Sequence, residues 1–253
     1  MAVLDESVVH LQCVVRRNRI AIFSPSDAMP QTDTDKRAST AATGLKITEI
    51  FRSLQGESDS AGWPTVFVRL TGCPLRCVWC DTAYAFGGGE WMEIGDIIDK
   101  VAALETERVC VTGGEPLAQK RCTELLTGLC DAGHRVSLET SGALSLADVD
   151  PRVTRVVDVK APGSGESHRN LWVNLEYLQA GDQLKFVIAD RSDFEWAEGQ
   201  IRARGLDRWD VLLSPVWESL APVTLAGWLL DSGLTARLQV QMHKILWGDQ
   251  PGK

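Results

Sequence analysis

From Leu45 onward the apolar residues of the chain fall into two alternating periods. Short β-branched runs occupy 65–70, 109–112, 135–139, 153–159, 184–188, 210–213 and 238–241. Most are nearly continuous, the pattern of strands buried on both faces. Segments at 94–104, 116–130, 193–204 and 222–230 repeat instead with the helical period. Strand–helix alternation of this kind predicts right-handed βαβ units laid into one parallel sheet. About six such units fit into roughly 200 residues, short of the eight that close a TIM barrel. The expected fold is α/β: an incomplete (β/α) barrel with a curved parallel sheet.

Residues 1–44 break this pattern. The stretch 24–44 is rich in Ser, Thr, Asp and Ala, has no period, and reads as a disordered N-terminal extension. Asp5 and Glu6 argue against a transit peptide, which avoids acidic residues. The expected division is therefore an extension over 1–44 and a catalytic domain over 45–253. A formal net charge of −8 lacks the basic footprint of a nucleic-acid binder. No apolar run reaches the 18 or so residues that a membrane span needs, so no membrane partner is expected. Seven cysteines, an odd number in a chain this long, argue against a disulfide scaffold. The expectation is a reduced, cytoplasmic protein whose clustered thiols need a metal.

Those thiols stand in R-L-T-G-C-P-L-R-C-V-W-C-D-T, from Arg69 to Thr82. Cys73, Cys77 and Cys80 have the spacing C-x3-C-x2-C and follow a predicted strand, at the edge where open α/β sheets bind ligands. Thiolates are soft ligands that suit an iron–sulfur cluster or zinc. A closed zinc site wants four ligands, commonly as two pairs, and no second pair exists. Cys110 lies inside a predicted strand, and Cys122 and Cys130 share a helix face with Leu125, Leu126 and Leu129. These three read as core cysteines. Three thiolates on a [4Fe–4S] cluster leave one iron open to chelate a substrate. A second element, T-G-G-E-P from Thr112 to Pro116, ends the next strand and opens a helix. Paired glycines let a backbone approach a ligand closely, and Pro suits a first helical turn. Gly87, Gly88 and Gly89 match neither a Rossmann nor a P-loop pattern and read as a flexible connector.

The cysteine triad and T-G-G-E-P resemble the radical S-adenosylmethionine superfamily. Further stretches narrow the resemblance: I-T-E-I-F-R-S-L-Q-G-E from Ile47 to Glu57, C-D-T closing the cysteine loop, and E-T-S-G from Glu139. D-V-K from Asp158 and Q-M-H-K-I-L-W-G from Gln241 complete the set. Over about 45–250 the chain resembles the 7-carboxy-7-deazaguanine synthase family of queuosine and deazapurine biosynthesis. The resemblance implies that Cys73, Cys77 and Cys80 ligate a [4Fe–4S] cluster. It implies an S-adenosylmethionine site of Trp79, Gly114, Asp158, Val159, Lys160, Ser214, Pro215, Val216 and Trp217. Leu54, Gln55, Gly56, Arg69 and Thr112 would hold the substrate, and Thr82 would ligate Mg²⁺. Glu57 and Glu139 suit the amide-like edge of a pterin, and Arg69 suits its carboxylate as a bidentate partner. His243 is a further substrate candidate; the alternative is a packed histidine on the last strand.

The implied reaction is radical ring contraction of 6-carboxy-5,6,7,8-tetrahydropterin, with loss of ammonia, by a radical S-adenosylmethionine carbon–nitrogen lyase. A flavodoxin-like reductant and a homodimer are implied by the family alone. Three positions depart from its usual pattern. Ser58 stands where many members end L-Q-G-E-G on glycine, Met242 stands where many have threonine before the histidine, and Asp249–Lys253 extend past a common terminal proline.

Overall fold

The computed structural model describes residues 43–248, 250 and 252. All but the last two residues of the expected N-terminal extension therefore lie outside the described residues. The domain is built on a single nine-stranded sheet. Its strands are β1 (Leu45–Leu54), β2 (Pro64–Leu70), β3 (Glu90–Met92), β4 (Arg108–Gly113) and β5 (Arg135–Thr140). β6 (Thr154–Val159), β7 (Gln183–Ile188), β8 (Asp210–Pro215) and β9 (Arg237–Leu238) complete it. They are ordered β3-β1-β2-β4-β5-β6-β7-β8-β9. From β2 to β9 each pair is parallel, as the alternation predicts. The sheet is open, not a closed barrel.

The antiparallel edge is the first departure. β1 pairs antiparallel with β2 and with β3, and neither β1 nor β3 was legible as a strand in a reading keyed to continuous apolar runs. The helices are α1 (Ile94–Ala102), α2 (Cys122–Asp131), α3 (Arg191–Arg204), α4 (Pro222–Ser232) and α5 (Met242–Trp247). Residues 116–121, expected as helix, form a 3₁₀ turn over Pro116–Ala118 before α2 begins. No α-helix lies between β5 and β6, nor between β6 and β7, where three 3₁₀ turns run from Pro162 to Glu176. Gly163 disfavours helix, and Gly165, left-handed at φ 79°, ends the first of these turns. α3 starts where the Asp190 side chain accepts from Asp193 N–H and ends at Gly205, whose φ of 59° is left-handed.

The strands are not buried alike on both faces. Val66, Val68 and Leu70 on β2, Val109 and Val111 on β4, and Val136 and Leu138 on β5 line one apolar face. Val157 and Val159 on β6, Leu184, Phe186 and Ile188 on β7, and Val211 and Leu213 on β8 continue it. Buried residues of the helices cover it: Ile97 and Val101 of α1, Leu125, Leu126 and Leu129 of α2, Phe194 and Ile201 of α3 and Leu225 of α4. The intervening positions form a polar face with Arg69, Thr112, Glu139, Asp158 and Lys185 near its carboxyl edge. The expectation of strands buried on both faces holds for β2, β4 and β8, whereas β5 and β7 alternate between buried and half-buried positions.

Two tethers fix the edges of this sheet. Gln119 Nε2 donates to Lys46 O at 2.8 Å and Thr71 O at 3.0 Å, while its Oε1 accepts from Lys46 N–H at 2.7 Å. At the other edge, Gln239 accepts from Ser58 N–H at 2.8 Å and donates to Ser58 O at 3.0 Å. Ser58 has a φ of 67°, in the left-handed region that glycine adopts without strain. Gln119→Ala removes three hydrogen bonds around Lys46 and Thr71. It should lower stability by about 1–3 kcal/mol, read as a reduced urea midpoint with unchanged slope.

Candidate active site

The loop after β2 carries the three thiols, all free and half-buried. Its path is fixed by backbone contacts: Gly72 N–H donates to Ala85 O at 2.7 Å, and Val78 N–H to Ser164 O at 3.1 Å. Arg76 N–H donates to Glu166 Oε1 at 2.6 Å, and Arg76 Nη1 to Cys73 O at 2.7 Å. Burial pushes the Cys73 and Cys77 thiols up, and Cys80 pushes both in the same direction. Lys160 pulls both the other way. Among the described residues no three His, Cys, Asp or Glu side chains are grouped to hold one metal ion. A cluster asks something different, since each thiolate takes its own iron and the sulfurs need not converge. Three half-buried free thiols, with no fourth cysteine among the described residues that line the cleft, fit that group and do not form a closed zinc site.

The T-G-G-E-P turn lies directly against this loop. Glu115 N–H donates to Gly72 O at 2.9 Å, and Gly114 N–H to Leu70 O at 3.2 Å. A Cβ on Gly114 would overlap Gly72 O and lie 2.8 Å from Cys73 Cβ. One on Gly113, at φ 155°, would overlap Leu70 O. The glycines are required by the approach of two backbones. Glu115 is fully buried and locks the turn to the end of β5. Its carboxylate accepts from Leu117 N–H at 3.0 Å, Ser141 N–H at 2.7 Å, Thr140 Oγ1 at 2.9 Å, and the Ser141 hydroxyl.

Loop, turn and strand ends open onto one cleft of about 760 Å³. Cys73, Cys77, Cys80, Trp79, Thr82, Gly114, Asp158, Lys160, Val216 and Trp217 line it. So do Leu54, Gln55, Gly56, Glu57, Arg69, Thr112, Glu139 and His243. Three expected residues do not. Val159 belongs to the apolar core on the opposite face, and Ser214 and Pro215 lie outside the lining. Asp158 Oδ2 meets Lys160 Nζ at 3.0 Å, whereas Asp158 Oδ1 and Ser214 Oγ are buried without a partner. The unsatisfied Asp158 oxygen, on a residue that lines the cleft with the three cysteines, suits a polar ligand such as S-adenosylmethionine.

The other half of the cleft is a ring of carboxylates and their donors. Glu139 accepts from Gln55 Nε2 and from Thr112 Oγ1, each at 3.1 Å. Glu57 pairs with Lys185 Nζ and accepts from Gln241 Nε2 at 2.8 Å. Burial pushes the Glu57 carboxyl up, but Lys185 and Gln241 outweigh it and hold it below the usual range. Arg69 Nε donates to Glu49 Oε1 at 2.7 Å, and Tyr84 OH to the same oxygen at 2.9 Å. Burial lifts the Tyr84 phenol, against the pull of Arg69 and with help from Glu49, to about 12, so it stays a donor. Arg69 is 14% exposed and is no surface charge. Its Nε edge belongs to Glu49, and only its terminal nitrogens remain to meet a carboxylate.

His243 lies on α5, not on a last strand, because the predicted strand over 238–241 stops at Leu238. A Cβ on Gly56 would overlap its Nδ1 and lie 2.9 Å from its backbone N, so Gly56 is required by this contact. Burial lowers the His243 pKa, only partly opposed by Glu57 and Asp81. Thr82 occupies the cap position of the 3₁₀ turn Ala83–Phe86 but makes no capping hydrogen bond; its Oγ1 faces Cys80 Sγ at 3.8 Å. Sequence reasoning missed Glu49, Tyr84, Lys185 and Gln241. Lys185 carried a signal, since a lysine between Leu184 and Phe186 marks alternation in an otherwise apolar run.

A cysteine loop and a glycine turn at the carboxyl edge of an open parallel sheet define a radical S-adenosylmethionine enzyme, and residues 67–155 match the Radical SAM superfamily. The chain is 44% identical over 207 residues to the 7-carboxy-7-deazaguanine synthase of Chlorobaculum tepidum, covering 80% of this chain and 94% of that one. It is 42% identical over 219 residues to that of Koribacter versatilis, covering 80% and 97%. The chain belongs to the 7-carboxy-7-deazaguanine synthase family. The fold is shared with the crystal structure of QueE from Escherichia coli, at a TM-score of 0.66 and 23% identity, over 79% of this chain and 95% of that one.

Alanine at Cys73, Cys77 or Cys80 should strip iron from anaerobically reconstituted protein and abolish turnover. Alanine at the fully buried Cys110 or Cys122 should keep the iron and cost roughly 1–2 kcal/mol of packing. Iron analysis of the five variants decides, and loss of iron from Cys110→Ala alone would reverse the assignment.

Proposed function

We propose that the protein converts 6-carboxy-5,6,7,8-tetrahydropterin to 7-carboxy-7-deazaguanine and ammonia, as a carbon–nitrogen lyase of queuosine and deazapurine biosynthesis. One observation carries this reading. The cysteine loop, the glycine turn and a ring of hydrogen-bonding carboxylates open onto the same cleft. The family supplies the [4Fe–4S] cluster and S-adenosylmethionine, which together deliver the hydrogen-abstracting radical chemistry when bound.

The chain supplies orientation. Cys73, Cys77 and Cys80 would hold the cluster, while Trp79, Gly114, Asp158, Lys160, Val216 and Trp217 would hold S-adenosylmethionine beside it. The carboxylates of Glu57 and Glu139 would accept from the N–H groups of the pterin edge, with Leu54, Gln55, Gly56, Thr112 and His243 completing the walls. The terminal nitrogens of Arg69 would grip the pterin carboxylate, with the guanidinium plane held by Glu49. The side chains of Val159, Ser214 and Pro215 fall outside this arrangement, which leaves them only backbone or indirect contact.

Thr82 would ligate Mg²⁺. One neutral hydroxyl cannot complete a near-octahedral shell, so the pterin carboxylate would share the ion. A flavodoxin-like reductant, a homodimer and a cytoplasmic setting belong to the same reading and rest on the family. Among the described residues no helix is long and apolar enough to cross a membrane.

Incubation with the carboxytetrahydropterin, dithionite and S-adenosylmethionine should yield 7-carboxy-7-deazaguanine by mass; an unchanged pterin would overturn the reading. Thr82→Ala should retain iron but lose the rise in rate on adding Mg²⁺. A wild-type Mg²⁺ response in that variant would transfer the metal to Asp81, which lines the same cleft.

A further inference from the structure

The charges facing the cleft are matched almost one to one. Arg69 meets Glu49 at 2.7 Å, and Lys160 meets Asp158 at 3.0 Å. Lys185, on β7, reaches Glu57 in the segment between β1 and β2, with side chains 11% and 9% exposed. These two residues are 128 positions apart in the chain, so tertiary structure alone joins them. Lys185 stands beside Asp158 in the β6–β7 register, but Lys160 already serves that carboxylate. From Lys185 a chain of contacts crosses the cleft. Glu57 N–H donates to Gln55 Oε1 at 3.2 Å, and Gln55 Nε2 donates to Glu139 Oε1 at 3.1 Å.

We infer that Lys185 is a positioning residue for the substrate: its ammonium keeps Glu57 a carboxylate, aimed into the cleft as an acceptor for paired N–H donors of an aminopyrimidinone edge. This rests on the proposed pterin reading of the cleft. A carboxyl buried this deeply protonates when its cation is removed, because burial penalises the charged form. Once protonated, it presents a hydrogen of its own to the donors of the ligand. Gln241 fixes the other oxygen but is neutral and cannot replace the charge.

The remaining charged groups near the pair do not substitute for Lys185. Asp158 and Glu139 face the ammonium and share its sign preference with Glu57. His243 faces Glu57, but burial keeps its pKa below the ordinary value, so it is neutral above neutral pH. Lys160 lies across Asp158 from the pair.

Lys185→Met, Lys185→Arg, Glu57→Gln and the double variant Lys185→Met/Glu57→Gln test the inference on the reconstituted enzyme. In Lys185→Met the KM for the pterin should rise about tenfold or more, with kcat less affected, and should fall back as pH is raised. Wild type should be flat over the same range, and Lys185→Arg should resemble it. Stability gives a readout without substrate. With its pKa lowered, Glu57 adds stability above the unfolded carboxyl value, lost as pH falls through the folded one. Lys185→Met should therefore be destabilised at neutral pH, and adding Glu57→Gln should recover part of the loss. A Lys185→Met enzyme with the wild-type pH profile of KM, or additive stabilities in the cycle, overturns the inference while leaving the proposed reaction intact. If wild type does not turn over the pterin, the reaction falls and the inference loses its ligand, whatever the cycle shows.

Discussion

A sheet that curves without closing has one face that helices can cover and one that they cannot. That constraint governs this molecule. Val66, Val68, Val109, Val111, Leu138, Phe186 and Leu213 exclude water on the covered face and supply the apolar burial that holds the domain together. The other face is mixed: Phe67, Val156 and Val187 line the cleft beside the charged groups. Buried charge persists there only when paired. The pairs Arg69–Glu49, Lys160–Asp158 and Lys185–Glu57 are what makes a polar interior tolerable, and they also make it chemically selective.

The two halves of the cleft are held by different means. On the thiol side the backbone is in control: the Gly113–Gly114 turn lies so near Gly72 and Leu70 that no side chain fits between. Glu115 anchors the turn to Thr140 and Ser141, fixing the spacing of β4 and β5 at the carboxyl edge of the sheet. On the carboxylate side the control lies in long side chains reaching between strands. The first half is rigid by steric exclusion, the second by electrostatic pairing. A change of charge should therefore disturb the carboxylate side before it disturbs the thiol loop.

Much of this was legible in the residues. The parallel strands β2 and β4–β8 follow the β-branched runs, β9 meets its run only at Leu238, and the spacing of Cys73, Cys77 and Cys80 marked the loop that faces the cleft. What escaped has physical reasons. β1 alternates Ile47, Glu49 and Phe51 with Thr48, Ile50 and Arg52, a mixed pattern suited to an edge that meets only part of the core. β3 is three residues long and sets no period. Lys185 and Gln241 reach Glu57 across the chain, and such pairings leave no local trace. Val159 sits within D-V-K, yet alternation turns it toward the core while Asp158 and Lys160 face the cleft.

The segment between β1 and β2 is bound to the end of the chain: Met242 N–H donates to Gly56 O at 3.0 Å, Gln239 clasps Ser58, and Gln241 holds Glu57. These contacts span 181 and 184 residues for Ser58 and Glu57. During synthesis, then, the thiol loop and its glycine turn exist long before the ribosome has made the residues that complete the carboxylate side. A nascent chain can offer its cysteines while the recognition half is still missing its last wall. Cluster loading and pocket formation become separable events in time, with the C-terminal residues deciding when the second one happens.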